Sequence, residues 1–163
     1  MISTYLNHKF FILFFIFIAQ LFAPKIYILN QSIATDLFLV YLTYLSTHNS
    51  RSNIIILGFM FGFVQDMITQ YELLGLFAMT KTSIGFILGS LNNYNKIWNK
   101  KIKMLFLFLT YLLHFIISSY LMYDRSVTPM SYILQLSFMQ SIWTFLVVCV
   151  INKFILIDNK IIN

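Results

Sequence analysis

Apolar residues fall along this chain in long runs separated by short polar stretches, and the lengths of those runs set the expected elements. The first run extends from Phe10 to Leu29 and is interrupted by Gln20, Pro24 and Lys25. Ala34 to Thr47 follows, shorter, with Asp36 near its start. Then come Ile54 to Thr69, Leu74 to Leu91, Met104 to Met122 and Ser131 to Ile151. A helix needs ~20 mainly apolar residues to cross a bilayer. The pattern therefore predicts an all-α integral membrane protein with six transmembrane helices in a single polytopic domain over residues 1–163. The opening run has the length and flank of a signal-peptide core, but no small-x-small cleavage pattern follows it, so it is read as the first span. The second run is short for a span and is expected as a short helix held inside the bundle.

Within the third and fourth runs the polar positions are specific. All five glycines lie between residues 58 and 89: Gly58, Gly62, Gly75, Gly85 and Gly89. Gly58, Gly62 and Asp66 are spaced four apart and share one helix face, and Lys81, Gly85 and Gly89 repeat that spacing. A hairpin centred between Leu73 and Leu74 would set Gly62 level with Gly85, Gly58 with Gly89, and Asp66 with Lys81. Two small-residue faces would meet, with an acid and a base at one depth. Small-xxx-small faces permit close helix approach in membranes, and intramembrane charges face a partner or a cavity because lipid exposure costs about 2.5–3.5 kcal/mol on insertion scales. The seven residues Gly58, Gly62, Asp66, Gly75, Lys81, Gly85 and Gly89 are thus the structural or partner-contact candidates.

Composition agrees with lipid as the solvent. Of the 163 residues 60% are hydrophobic and 10% charged, and the mean hydropathy is +0.81, against roughly 25% charged residues in a soluble domain. The formal net charge of +6 would suggest nucleic acid in a soluble protein, but its placement points to membrane orientation and to no nucleic-acid partner. With six spans, Lys9, Arg51, Lys96, Lys100, Lys101, Lys103, Lys153 and Lys160 share one side, and Lys25 and Arg125 the other. By the positive-inside rule both termini are expected in the cytoplasm. The basic loop between Asn92 and Lys103, with Trp98 in it, reads as a topology signal and a contact for anionic lipid.

Catalytic and cofactor patterns are missing from the sequence. No glycine-rich phosphate loop occurs. His8, His48 and His114 are scattered without acidic partners at ligand spacing, and the single cysteine, Cys149, excludes an internal disulfide. His114, inside the fifth run, reads as a polar contact within the bundle. No catalytic, cofactor-binding or metal residue is assigned.

The stretch Gly58 to Leu91, GFMFGFVQDMITQYELLGLFAMTKTSIGFILGSL, resembles the rod shape-determining protein MreD family. Gly62 and Asp66 match that family's Gly-x-x-x-Asp step, Gly75 its glycine at the start of the next helix, and Gly85 and Gly89 its later glycine pair. A short second span introduced by an aspartate, here Asp36, is also similar. Thr35 stands where the family often has proline, and Lys81 is not part of the pattern. The resemblance implies a non-catalytic subunit of the bacterial inner membrane that works in cell elongation and peptidoglycan synthesis. Its implied partners are MreC, the actin-like MreB, the RodA glycosyltransferase and a class B penicillin-binding protein. It also implies a fold similar to the six-helix substrate-binding components of energy-coupling-factor vitamin transporters. That similarity supplies a second reading, in which a cavity near Asp66, Glu72 and Lys81 takes a small molecule, and Ala19 and Ala23 match a coupling motif. An ion channel ranks last, because few polar residues are spread over depth.

Overall fold

The computed structural model describes residues 15–20, 25–28, 31–69, 74–93, 99–124 and 126–154. Glu72, Ala23, Arg125, Lys96 and Trp98, which enter the sequence reading, lie outside them. Helix α1 covers residues 15–20, and the strands β1 (Lys25–Ile28) and β2 (Gln31–Ala34) follow. The remaining elements are helices: α2 (Leu37–Ser46), α3 (Arg51–Thr69), α4 (Leu76–Asn93), α5 (Lys100–Met122) and α6 (Met130–Phe154).

The first apolar run is not helical as far as Leu29. The strands pair antiparallel, Lys25 opposite Ala34 and Ile28 opposite Gln31. Ile26 and Ile28 alternate with polar or amphipathic neighbours, a period of two that suits a strand, so one small hairpin stands within a fold that is otherwise helical among the described residues, as the all-α expectation has it. Ile33 of β2 is buried, and Thr35 just beyond it accepts a hydrogen bond from Trp143 Nε1 of α6 at 2.8 Å. Gln20 of α1 reaches the same place: its Oε1 accepts from the Leu37 N–H at 2.7 Å.

Helix α2 has 10 residues, about 15 Å at 1.5 Å per residue, half the thickness of a bilayer core. It is a short helix packed among longer ones. Asp36 starts it by accepting from the Leu39 N–H at 3.0 Å, the usual N-cap contact. Phe38 and Tyr41 then lie on the Phe61 ring of α3, with centroids 5.7 and 5.8 Å away. On its other face, the Thr43 and Tyr111 hydroxyls share a hydrogen bond of 2.8 Å to α5.

Among the described residues three helices are long and apolar enough to cross a membrane: Arg51–Thr69, Lys101–Met122 and Met130–Ile151. Leu37–Ser46 and Leu76–Leu91 are shorter apolar helices. Beside an apolar core, burial departs from that of a soluble protein in two ways. Ile56, Phe59, Met60, Met67, Leu105, Leu109, Leu134, Phe138 and Val150 are exposed, while Asp36, Asp66, Lys81, His114, Ser137, Ser141 and Thr144 are buried. Polar groups inside and apolar groups outside suit a hydrocarbon surround. Between α5 and α6, small side chains set the spacing: Ser137 Oγ donates to the Phe115 carbonyl at 3.1 Å, and Phe108 meets Phe138 and Phe145 edge-on. In the connection after α5, Asp124 accepts from the Ser126 N–H at 2.9 Å. That hydrogen bond holds its carboxyl below the usual carboxylate range.

Candidate functional site: a buried ionic core and a glycine-lined hairpin

The α3–α4 hairpin forms with its glycines on the contact face, in a register different from the one expected. A Cβ added to Gly58 would stand 2.5 Å from the Lys81 carbonyl oxygen, and one on Gly85 2.8 Å from the Ile54 carbonyl oxygen. One on Gly89 would lie 2.9 Å from Arg51 Cα, and one on Gly62 would collide with the backbone of Phe77 and Ala78. Each of these four glycines therefore faces backbone of the opposite helix, and none of them faces another glycine. Arg51 extends past Gly89 to place its guanidinium 3.7 Å from the Phe86 ring centroid, a cation–π contact. Gly62→Ala is expected to destabilise the protein by about 1–3 kcal/mol, the usual cost of overpacking, because backbone rather than a flexible side chain occupies the space. Thermal unfolding in detergent measures this, and an unchanged midpoint would contradict the contact.

The shift in register separates Asp66 from Lys81. Asp66, fully buried, points across the hairpin to the first turn of α4. Its Oδ2 accepts from the N–H groups of Gly75 at 3.1 Å and Ala78 at 2.9 Å, and its Oδ1 from that of Phe77 at 2.9 Å. The first N–H groups of a helix have no partner within it, so a carboxylate brought from α3 supplies what a local cap would. Gly75 turns the chain into that position with φ +100°, in the left-handed region that favours glycine.

Lys81 pairs instead with Asp36. Its Nζ is hydrogen-bonded to Asp36 Oδ2, and neither side chain is open to solvent. The expected pairing of Lys81 with Asp66 is thereby corrected: the acid had already been taken by backbone donors, and the base is met by the aspartate that caps α2. Lys81 lies five residues into α4, about 7.5 Å along it. His114 of α5, also fully buried, brings Nε2 to 3.4 Å from the same Asp36 oxygen, without the alignment of a hydrogen bond. One carboxylate thus ties α2, α4 and α5 together.

Sequence reasoning placed His114 in a polar contact inside the bundle and noted Asp36 only as the start of the second span. The signal for Asp36 was its type: a carboxylate beside an apolar run requires a partner, and Lys81 stands in the middle of another apolar run. Among the described residues no group of three side chains could hold a metal ion. Chemically, the arrangement neutralises charge and fixes helix positions; its carboxylates are consumed by internal partners.

An apolar exterior around an ion-paired interior, with three helices of membrane-crossing length among the described residues, defines a helical membrane protein. The chain belongs to the MreD family, since the model for the rod shape-determining protein MreD matches residues 2–157. Comparison with curated proteins and with solved structures gave no match.

Proposed function

We propose that this chain is a non-catalytic, multi-pass subunit of the bacterial inner membrane, with both termini cytoplasmic, that scaffolds MreC and peptidoglycan synthases during elongation of the side wall. Family membership over residues 2–157 carries this reading. The site is consistent with it: Asp36, Lys81 and Asp66 hold helices in register and leave no charged group of that cluster free for chemistry. A rigid bundle with an apolar exterior suits docking of partner helices, for which MreC is the first candidate, followed by MreB, RodA and a class B penicillin-binding protein.

Affinity purification from native membranes in mild detergent, with mass spectrometry of what co-purifies, tests the reading. Recovery of MreC with elongation-machinery proteins is the expected result. Recovery of a transmembrane coupling protein with ATPases, and no MreC, would make the chain a transporter component instead.

A further inference from the structure

A cavity of about 480 Å³ opens at the end of the bundle where α3 leads into α4 and α5 into α6. That volume lies in the range of small-molecule pockets, roughly 300–1,000 Å³. Its apolar wall includes Phe38, Phe77, Phe115 and Leu136. Among the described residues, Asp36 is the one charged side chain lining it, and both its oxygens are engaged, by Leu39 and Lys81. Thr35 Oγ1 already accepts from Trp143. Gln65 is different. It is 6% exposed, lines the cavity, and its Oε1 has no hydrogen-bond partner among the described residues. A buried acceptor without a donor is costly, and the space in front of this one is large enough for a molecule that brings the donor.

We propose that the cavity binds an uncharged molecule carrying a hydroxyl or amide N–H donor on an apolar body, with Gln65 Oε1 as the acceptor. The donor answers the orphaned oxygen, the phenylalanines cover the apolar part, and the internal neutralisation of Asp36 removes any call for a charged group. Such a donor can come from a neutral glycerolipid or from a free small molecule. The inference does not depend on the scaffold reading, and binding here leaves the identity of protein partners open.

Trp143 reports on the site through Thr35, so its fluorescence can follow occupancy in a Trp98→Phe background. The probes are 1-monooleoylglycerol delivered in phosphatidylcholine nanodiscs and benzamide added in solution, with phosphatidylcholine alone as the control. A saturable change with the glycerolipid assigns the donor to lipid, one with benzamide to a free molecule, and either supports the site. Gln65→Leu should weaken the binding observed at least tenfold while leaving the unliganded protein as heat-stable as before or more so, because the orphaned acceptor is gone. Ala34→Phe, which fills the cavity from β2, should block binding independently. No saturable change with either probe, or an affinity equal to the parent's in Gln65→Leu or in Ala34→Phe, would overturn the proposal.

Discussion

Lys81→Met is expected to unfold or strongly destabilise the protein, by about 3–5 kcal/mol, the cost of removing one partner from a buried ion pair. The loss comes less from the attraction itself than from what remains: Asp36 would keep a charge, 5% exposed, with its Lys81 donor gone and His114 out of line. Taking the charge away from both sides should restore most of the stability. In the double variant Asp36→Asn with Lys81→Met, methionine fills the lysine's volume, and the asparagine oxygen still accepts from the Leu39 N–H that caps α2. Replacing a buried pair by neutral groups of similar size is often neutral or stabilising. Thermal unfolding in detergent, with accumulation in membranes as a second readout, gives the comparison. Equal stability of Lys81→Met and the parent, or a double variant no better than the single, would exclude the pairing as an anchor. Asp66→Asn with Lys81→Met serves as the control cycle: it should not rescue, since Asp66 belongs to other donors.

That control marks the boundary of what can be read from residues alone. Apolar runs locate α3 to α6 well because a helix that faces lipid must be apolar along most of its length. The glycine spacing identifies the contact face of α3 and α4, since close backbone approach needs a missing Cβ at every fourth position. Register was not legible in the same way. A symmetric hairpin puts its centre mid-loop, but α3 continues to Thr69 while α4 begins at Leu76, with Asp66 level with the first turn of α4. The helices are therefore offset, and each glycine meets backbone instead of its counterpart. Charge and spacing set Lys81 against Asp66 alone, and the pairing with Asp36 follows from the unpaired N–H groups of α4 that take Asp66, which no pattern of side chains displays. The β1–β2 hairpin was hidden for a related reason: Ile26 to Leu29 extends an apolar run, and hydropathy does not separate a strand from a helix over four residues.

Asp66→Ala is the second large effect expected, and it should be localised. Three N–H groups, those of Gly75, Phe77 and Ala78, now end on one carboxylate; without it each buried donor left unmet costs about 1–3 kcal/mol, less whatever water entering at the bundle end recovers. The negative charge also sits where the positive end of the α4 dipole favours it, so Asp66→Asn should fall between the parent and alanine: the amide keeps one acceptor oxygen but turns its NH₂ toward donors. Gly75→Ala should cost about 1–2 kcal/mol, since no atom lies within 4 Å of the added Cβ and the penalty is that of the left-handed backbone alone. Amide hydrogen exchange separates these cases from general loss of stability. In Asp66→Ala, protection should collapse first at Phe77 and Ala78, while Ile84 and Leu88, further along α4 and packed in the core, stay protected. Uniform loss along the helix would mean that Asp66 acts on the whole bundle, and unchanged protection at Phe77 and Ala78 would mean that it does not cap α4. The expected pattern instead makes Asp66 the residue that decides where α4 starts, and with it the depth at which Lys81 meets Asp36.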